Sequence, residues 1–139
     1  MPIETDTDAW ADAEPVSSIE SELLAFLRKN DSWAFHAREM ADQVLDTNWS
    51  MVHRRDREIQ EVGEEEFHRR LETGEYDGEF DVESGGKTIA NSIKTQSVIA
   101  ILHSFVREDL IEVRRVSVEE TDIPYEEWDE VEYFSLAEE

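Results

Sequence analysis

Asn91, Ser92, Lys94, Thr95, Gln96 and Ser97 crowd one stretch of the chain with no acid among them. Short polar side chains hydrogen-bond to base edges in the major groove of DNA, and cations beside them meet phosphates. Asn91 and Gln96 carry the amide that pairs with adenine. Lys94 and the preceding Lys87 supply positive charge, and Arg114 and Arg115 follow as two further phosphate contacts. The stretch stands out against its background. Asp and Glu make up 36 of 139 residues, yet the ten positions from Thr88 to Ser97 hold none.

Other chemistry has weaker support. His36 with Glu39 and His53 with Asp56 are i,i+3 pairs, but no HExxH or other metal-ligand spacing occurs and cysteine is absent, so neither metal nor cofactor is expected. Solvated or capping histidines are the plainer reading. Paired carboxylates are too frequent to single out an acid–base pair. The run Gly85-Gly86-Lys87-Thr88 is like the end of a phosphate-binding loop but lacks the earlier glycine. There is no GxSxG or GxGxxG, and an enzyme is not expected. In His53-Arg54-Arg55-Asp56-Arg57 and His68-Arg69-Arg70, pairing of Arg54 with Glu58, Arg57 with Glu61 and Arg69 with Glu72 at helical spacing is favoured over phosphate contact.

The net charge is -23, and arginine outnumbers lysine among the 13 bases. Acids spread through apolar periodicities point to a folded halophile protein rather than a disordered acidic tail. In molar salt the Debye length is about 3 Å, so self-repulsion costs little while carboxylates hold water. The charge is uneven: residues 1–27 carry seven acids and no base, residues 117–139 ten acids and no base, and residues 87–116 five bases against three acids. That basic island coincides with the polar stretch. No apolar run approaches a membrane span of about 18 residues. Met1 to Glu14 lacks a basic start and an apolar block, so a cytoplasmic protein is expected.

The elements that must position these residues follow from spacing. Residues 1–17 read as a flexible acidic arm, and residues 18–139 as one domain. Ser17 and Ser18 are helix caps, and Ile19, Leu23, Phe26 and Leu27 form a helix face ending near Asn30. Trp33-Ala34-Phe35 is one short extended piece. Ala37 to Leu45 is a second helix, with Ala37, Met40, Ala41, Val44 and Leu45 inward. Residues 46–86 form a helical insertion. Trp49, Met51, Val52, Ile59 and Val62 lie on one helix, Gly63 interrupts, and Phe67 with Leu71 marks another. A glycine-dotted loop then runs to Gly85-Gly86. Residues 87–110 carry a long helical pattern on Ile89, Ile93, Val98, Ile101, Leu102, Phe105 and Val106, read as one helix or as two that meet near Thr95. Strands follow over 111–118 and about 131–136, joined by a loop around Pro124.

Helix, short strand, helix, insertion, helix and hairpin is the order of a winged helix-turn-helix domain, and particular residues carry the likeness. Phe35-His36-Ala37-Arg38-Glu39-Met40-Ala41 looks like the start of that fold's second helix. Val98, Leu102 and Phe105 followed by Arg107-Glu108-Asp109-Leu110-Ile111 resemble its third helix and exit, and Glu132-Tyr133-Phe134-Ser135-Leu136 resembles its closing strand. Over residues 18–45 and 87–136 the chain resembles MarR-like and ArsR-like transcription regulators of haloarchaea. The resemblance implies an α+β fold with a three-helix core and a C-terminal β-hairpin. It departs from the family in three ways: about forty residues separate helices two and three, Asp109 stands where glycine is common, and the loop around Thr121 to Glu130 is acidic.

The expectation is a sequence-specific regulator that binds double-stranded DNA as a homodimer. Its long helix would read bases through Asn91, Ser92, Thr95, Gln96 and Ser97, with Lys87, Lys94, Arg114 and Arg115 on phosphate. The first helix and the insertion are the candidate dimer interface. The rival is a winged-helix interaction module, an adaptor of the transcription machinery or an antitoxin-like partner, suggested by the acidic loop, Trp128 and the apolar Ile99-Ala100 pair. An RNA-binding winged helix is a third, weaker reading.

Overall fold

A computed structural model describes residues 1–14, 18–80 and 84–137, the last segment with its side chains from Thr88 onward. These residues form six α-helices and one antiparallel hairpin, an α+β arrangement. The acidic arm holds one turn of helix, α1 (Asp8–Ala11), with no buried residue. Pro15 and Ser17, expected near the end of the arm and at a cap, lie outside the described residues.

Helix α2 (Ile19–Lys29) opens on a capping box in which Ser18 and Ser21 satisfy each other's backbone N–H groups. Leu23 and Leu27 are fully buried, and Asn30 closes the helix by donating its side-chain amide to the Phe26 carbonyl at 2.8 Å. Phe35 is extended and exchanges two backbone hydrogen bonds with Phe134, at 2.9 and 2.8 Å. The short extended piece therefore joins the edge of the hairpin.

Helix α3 (Ala37–Val44) starts on a second capping box. The His36 ring accepts from the Glu39 N–H, and the Glu39 carboxylate accepts from the His36 N–H, both at 3.3 Å. Helices α4 (Trp49–Val62) and α5 (Glu64–Glu72) meet at Gly63, whose φ of +87° suits glycine. Phe67, Tyr76 and Phe80 form a separate aromatic cluster beyond α4. The insertion is not an appendage, since Trp49 and Val52 belong to the main core with Leu23, Leu27, Met40, Ala41, Val98, Leu102 and Phe134.

Helix α6 (Ser84–Arg107) begins earlier than expected and runs through the Gly85-Gly86 pair. It ends on paired backbone bonds, Asp109 N–H to Val106 and Leu110 N–H to Phe105, with Asp109 left-handed at φ +61°. That is the conformation for which related turns use glycine. Strand β1 (Ile111–Ser117) then pairs with β2 (Glu130–Leu136), from Ile111 opposite Leu136 to Ser117 opposite Glu130. No helix among the described residues is long and apolar enough to cross a membrane.

Candidate functional site on the long helix

The polar stretch of α6 is divided between two faces. Asn91 and Thr95, 1% and 6% exposed, point inward and are corrected from base readers to core residues. The Asn91 side-chain amide donates to the Asn48 carbonyl oxygen at 2.5 Å. The Thr95 hydroxyl donates to the Asn91 backbone carbonyl and accepts from the Trp49 indole N–H, both at 2.7 Å. Helix period is the cause: Asn91 and Thr95 fall in line with the core residues Val98 and Leu102, and Asn48 and Trp49 at the start of α4 meet them there as polar partners. Gln96 and Ser97 are exposed, and Ser92 and Lys94 are half-buried. The Lys94 ammonium stands 3.5 Å from the Asp46 carbonyl. The Lys87 side chain lies outside the described residues.

Ile89 and Ile93, two of the apolar positions that mark the long helix, are 64% and 62% exposed and share the outward side with Gln96, Ser97 and Ala100. Ile99 is half-buried. Arg114 and Arg115 are both exposed, but strand alternation sends them to opposite faces of the hairpin. Arg114 pairs with Glu112 at 3.3 Å. Arg115 lies opposite Glu132, whose carboxylate meets His103 of α6 at 3.3 Å, so only Arg115 shares the α6 side.

Helix α4 is fixed by a residue of α3. Asn48 provides no side-chain cap, whereas the Asp42 carboxylate accepts from the Trp49 and Ser50 N–H groups, both at 2.8 Å, and from the Thr47 hydroxyl. A carboxylate at a helix N-terminus satisfies orphan donors and opposes the positive end of the dipole. Trp49 is thereby seated beneath α6.

Arg38 lies at the centre of an aromatic cluster. Its guanidinium carbon is 3.7 Å from the Trp49 ring centroid, 4.7 Å from that of Trp128 and 5.6 Å from that of Tyr125. Its Nη1 is 2.9 Å from His53 Nε2. Burial lowers the Arg38 pKa from its ordinary value. Burial, helped by neighbouring charge, also brings His36 and His53 down to about 4, so both rings are neutral near pH 7. Burial first, then the Asp56 carboxylate that accepts its hydroxyl proton, pushes Tyr125 up to about 12.

The acidic loop between β1 and β2 folds onto α4. Arg57 donates to the Asp122 carbonyl, Gln60 donates to the Pro124 carbonyl at 2.5 Å, and Tyr125 donates to Asp56. Ile123 and Pro124 are buried beneath it. The three expected pairs, Arg54 with Glu58, Arg57 with Glu61 and Arg69 with Glu72, are absent among the described residues; Arg57 holds the Asp122 carbonyl, and the other arginines meet different acids. Arg54 meets Glu79 at 3.0 Å, Arg69 meets Glu66 at 2.6 Å, and Arg70 meets both Glu66 at 2.8 Å and Glu58 at 3.6 Å.

A groove of about 440 Å³ opens between α6, the start of α3 and the hairpin, with Ser92, Gln96, Ile99, Arg38, Trp49 and Trp128 in its walls. Nothing in the sequence around Arg38 marks it as a site residue, and the signal that points to it is the pair of tryptophans at 49 and 128, far along the chain. Among the described residues, no three His, Asp or Glu side chains gather as a metal site. The chain matches no described protein family, no curated protein and no solved structure.

Proposed function

We propose that the chain is a winged-helix regulator that binds double-stranded DNA, with the outer face of α6 turned to the duplex. The carrying observation is that α6, 24 residues long, has no Asp or Glu in a chain of net charge -23, and that Gln96 and Ser97 stand exposed on it. A polyanion is repelled least there. The reading set is narrower than the sequence suggests: Gln96 and Ser97 to bases, Ser92 and Lys94 at the margin, and Arg115 to phosphate. Exposed Ile89 and Ile93 would meet thymine methyl groups. Two copies would set two α6 helices on half-sites about 34 Å apart, as dimeric helix-turn-helix proteins do.

The test is selection of duplexes from a random pool by the full chain in molar potassium chloride, followed by anisotropy titration of the winners. Sequence-dependent binding that weakens in Gln96→Ala and Lys94→Ala, with unfolding unchanged, supports the reading. Absence of duplex binding at every salt concentration refutes it.

One observation favours an interaction module instead. Ile89 and Ile93 present exposed apolar surface, while the loop that would serve as the wing is bound to α4. A protein partner, in the transcription machinery or an antitoxin-like pair, would cover that stripe. Recovery of one dominant protein with the chain, lost on Ile93→Glu, together with no duplex binding, would establish this reading over the first.

A further inference from the structure

We propose that the groove beside Arg38 is a binding site for a small organic monocarboxylate, with the Arg38 guanidinium as its counter-ion. The inference does not require the duplex reading, although the groove shares Ser92 and Gln96 with it. It begins from an imbalance of charge. Arg38 is half-buried in a chain with 36 acids, yet among the described residues no carboxylate oxygen lies within 4.0 Å of it. The acids nearest in the fold are engaged elsewhere: Asp42 caps α4, and Asp56 takes the Tyr125 hydroxyl and meets Arg55 at 3.3 Å. Asp42 and Asp56 act on Arg38 only from beyond ion-pair distance, and a half-buried cation with no carboxylate in direct contact favours an anion that reaches it.

The cavity defines the ligand. Its volume of about 440 Å³ lies within the range of small-molecule sites. Trp49, Trp128 and Ile99 give apolar walls, and Ser92 and Gln96 give hydrogen-bonding groups. Glu130 and Glu132 also line it, which disfavours a multiply charged anion such as a phosphate ester. An organic cation is disfavoured as well, because Arg38 already covers the indole faces that would hold one. One negative charge on an apolar or aromatic body matches Arg38 and the indole walls while meeting less repulsion from Glu130 and Glu132 than a multiply charged anion. An occupant would touch α6, α3 and the β1–β2 loop together.

The test is titration of the full chain with benzoate, phenylacetate and hexanoate at constant potassium chloride, read by calorimetry and tryptophan emission, with benzamide as the neutral isostere. Saturable binding of at least one carboxylate is expected, with benzamide at least about tenfold weaker than benzoate if benzoate is the ligand. Arg38→Gln is expected to abolish the signal. Because Arg38 also packs between rings, Gln96→Glu serves as a second variant: it is exposed, adds a negative charge to the groove wall, and should weaken binding several-fold with unfolding unchanged. No saturation by any of the three carboxylates, equal binding of benzamide and benzoate, or indifference to Gln96→Glu would each overturn the assignment.

Discussion

The indole N–H of Trp49 and the hydroxyl of Thr95 are joined by a buried 2.7 Å hydrogen bond across 46 positions of chain, linking the insertion to the long helix. Thr95→Val removes the acceptor and leaves the indole N–H buried without a partner, so a loss of about 1–3 kcal/mol is expected in chemical denaturation. Adding Trp49→Phe removes the stranded donor. The two changes together should cost about 1 kcal/mol less than their sum, and strict additivity would show that the bond contributes nothing.

Asp42 holds the first turn of α4 from a distance. Asp42→Ala should lower stability by about 1–2 kcal/mol, as loss of an N-cap does. Asp42→Asn keeps one acceptor oxygen and should lose less. Amide exchange at Trp49 and Ser50 is the direct readout, and unchanged protection there in Asp42→Ala would count against the cap.

Asp109 adopts a left-handed conformation that disfavours a side chain. Asp109→Gly should raise stability by roughly 0.5–1 kcal/mol, the relief of strain exceeding the added freedom of the unfolded chain. Asp109→Val should lower it, because a β-branched residue fits the left-handed region poorly. Thermal unfolding of the pair decides the sign.

His36 and His53 bring an acid dependence. Each accepts a proton near pH 6.5 when unfolded but only near pH 4 when folded, so the unfolded chain takes up more protons between those values. Stability is therefore complete above about pH 6.5 and falls as the pH drops toward 4, by roughly 2–3 kcal/mol for one such histidine. The ring centroids are 6.0 Å apart, so the two contributions are coupled rather than simply additive. Burial pushes the Glu39 carboxyl up, which acts in the opposite sense over its own titration. His53→Gln should flatten the slope between pH 6.5 and 5 in urea denaturation, and an unaltered slope would exclude His53 as its source.

The two faces of α6 should separate in mutagenesis. Gln96→Ala and Ser97→Ala leave unfolding within about 0.5 kcal/mol of the parent, as exposed positions do. Asn91→Leu lowers stability by about 1–3 kcal/mol by leaving the Asn48 carbonyl unpaired. If the duplex reading holds, affinity follows the first pair. Loss of affinity only in Asn91→Leu would place the contact elsewhere.

Local rules made much of the architecture legible. Apolar spacing located α2, α3, α6 and the hairpin to within a few residues, since their inner faces meet one common core. Gly63 marked the joint between α4 and α5. Residue type misleads where the period does not. Ile89 and Ile93 are apolar but stand across α6 from Val98, Leu102 and Phe105, whereas Asn91 and Thr95 fall in line with those core residues at 3.6 residues per turn. The sequence shows a polar run without showing that Trp49 and Asn48 need its hydrogen bonds. Arg38 was illegible for the same reason, because its aromatic partners come from residues far along the chain. Arg114 and Arg115 look like one basic pair in the sequence, but strand alternation sends adjacent side chains to opposite faces.

The loop between β1 and β2 is fastened to α4 largely through main-chain oxygens, those of Asp122 and Pro124. A clasp between opposite charges loosens as brine thickens, because mobile ions weaken it. A side chain bound to a peptide carbonyl depends far less on the surrounding electrolyte. Dilution or concentration of salt around this acidic protein should therefore alter what its surface attracts while leaving the loop in its seat.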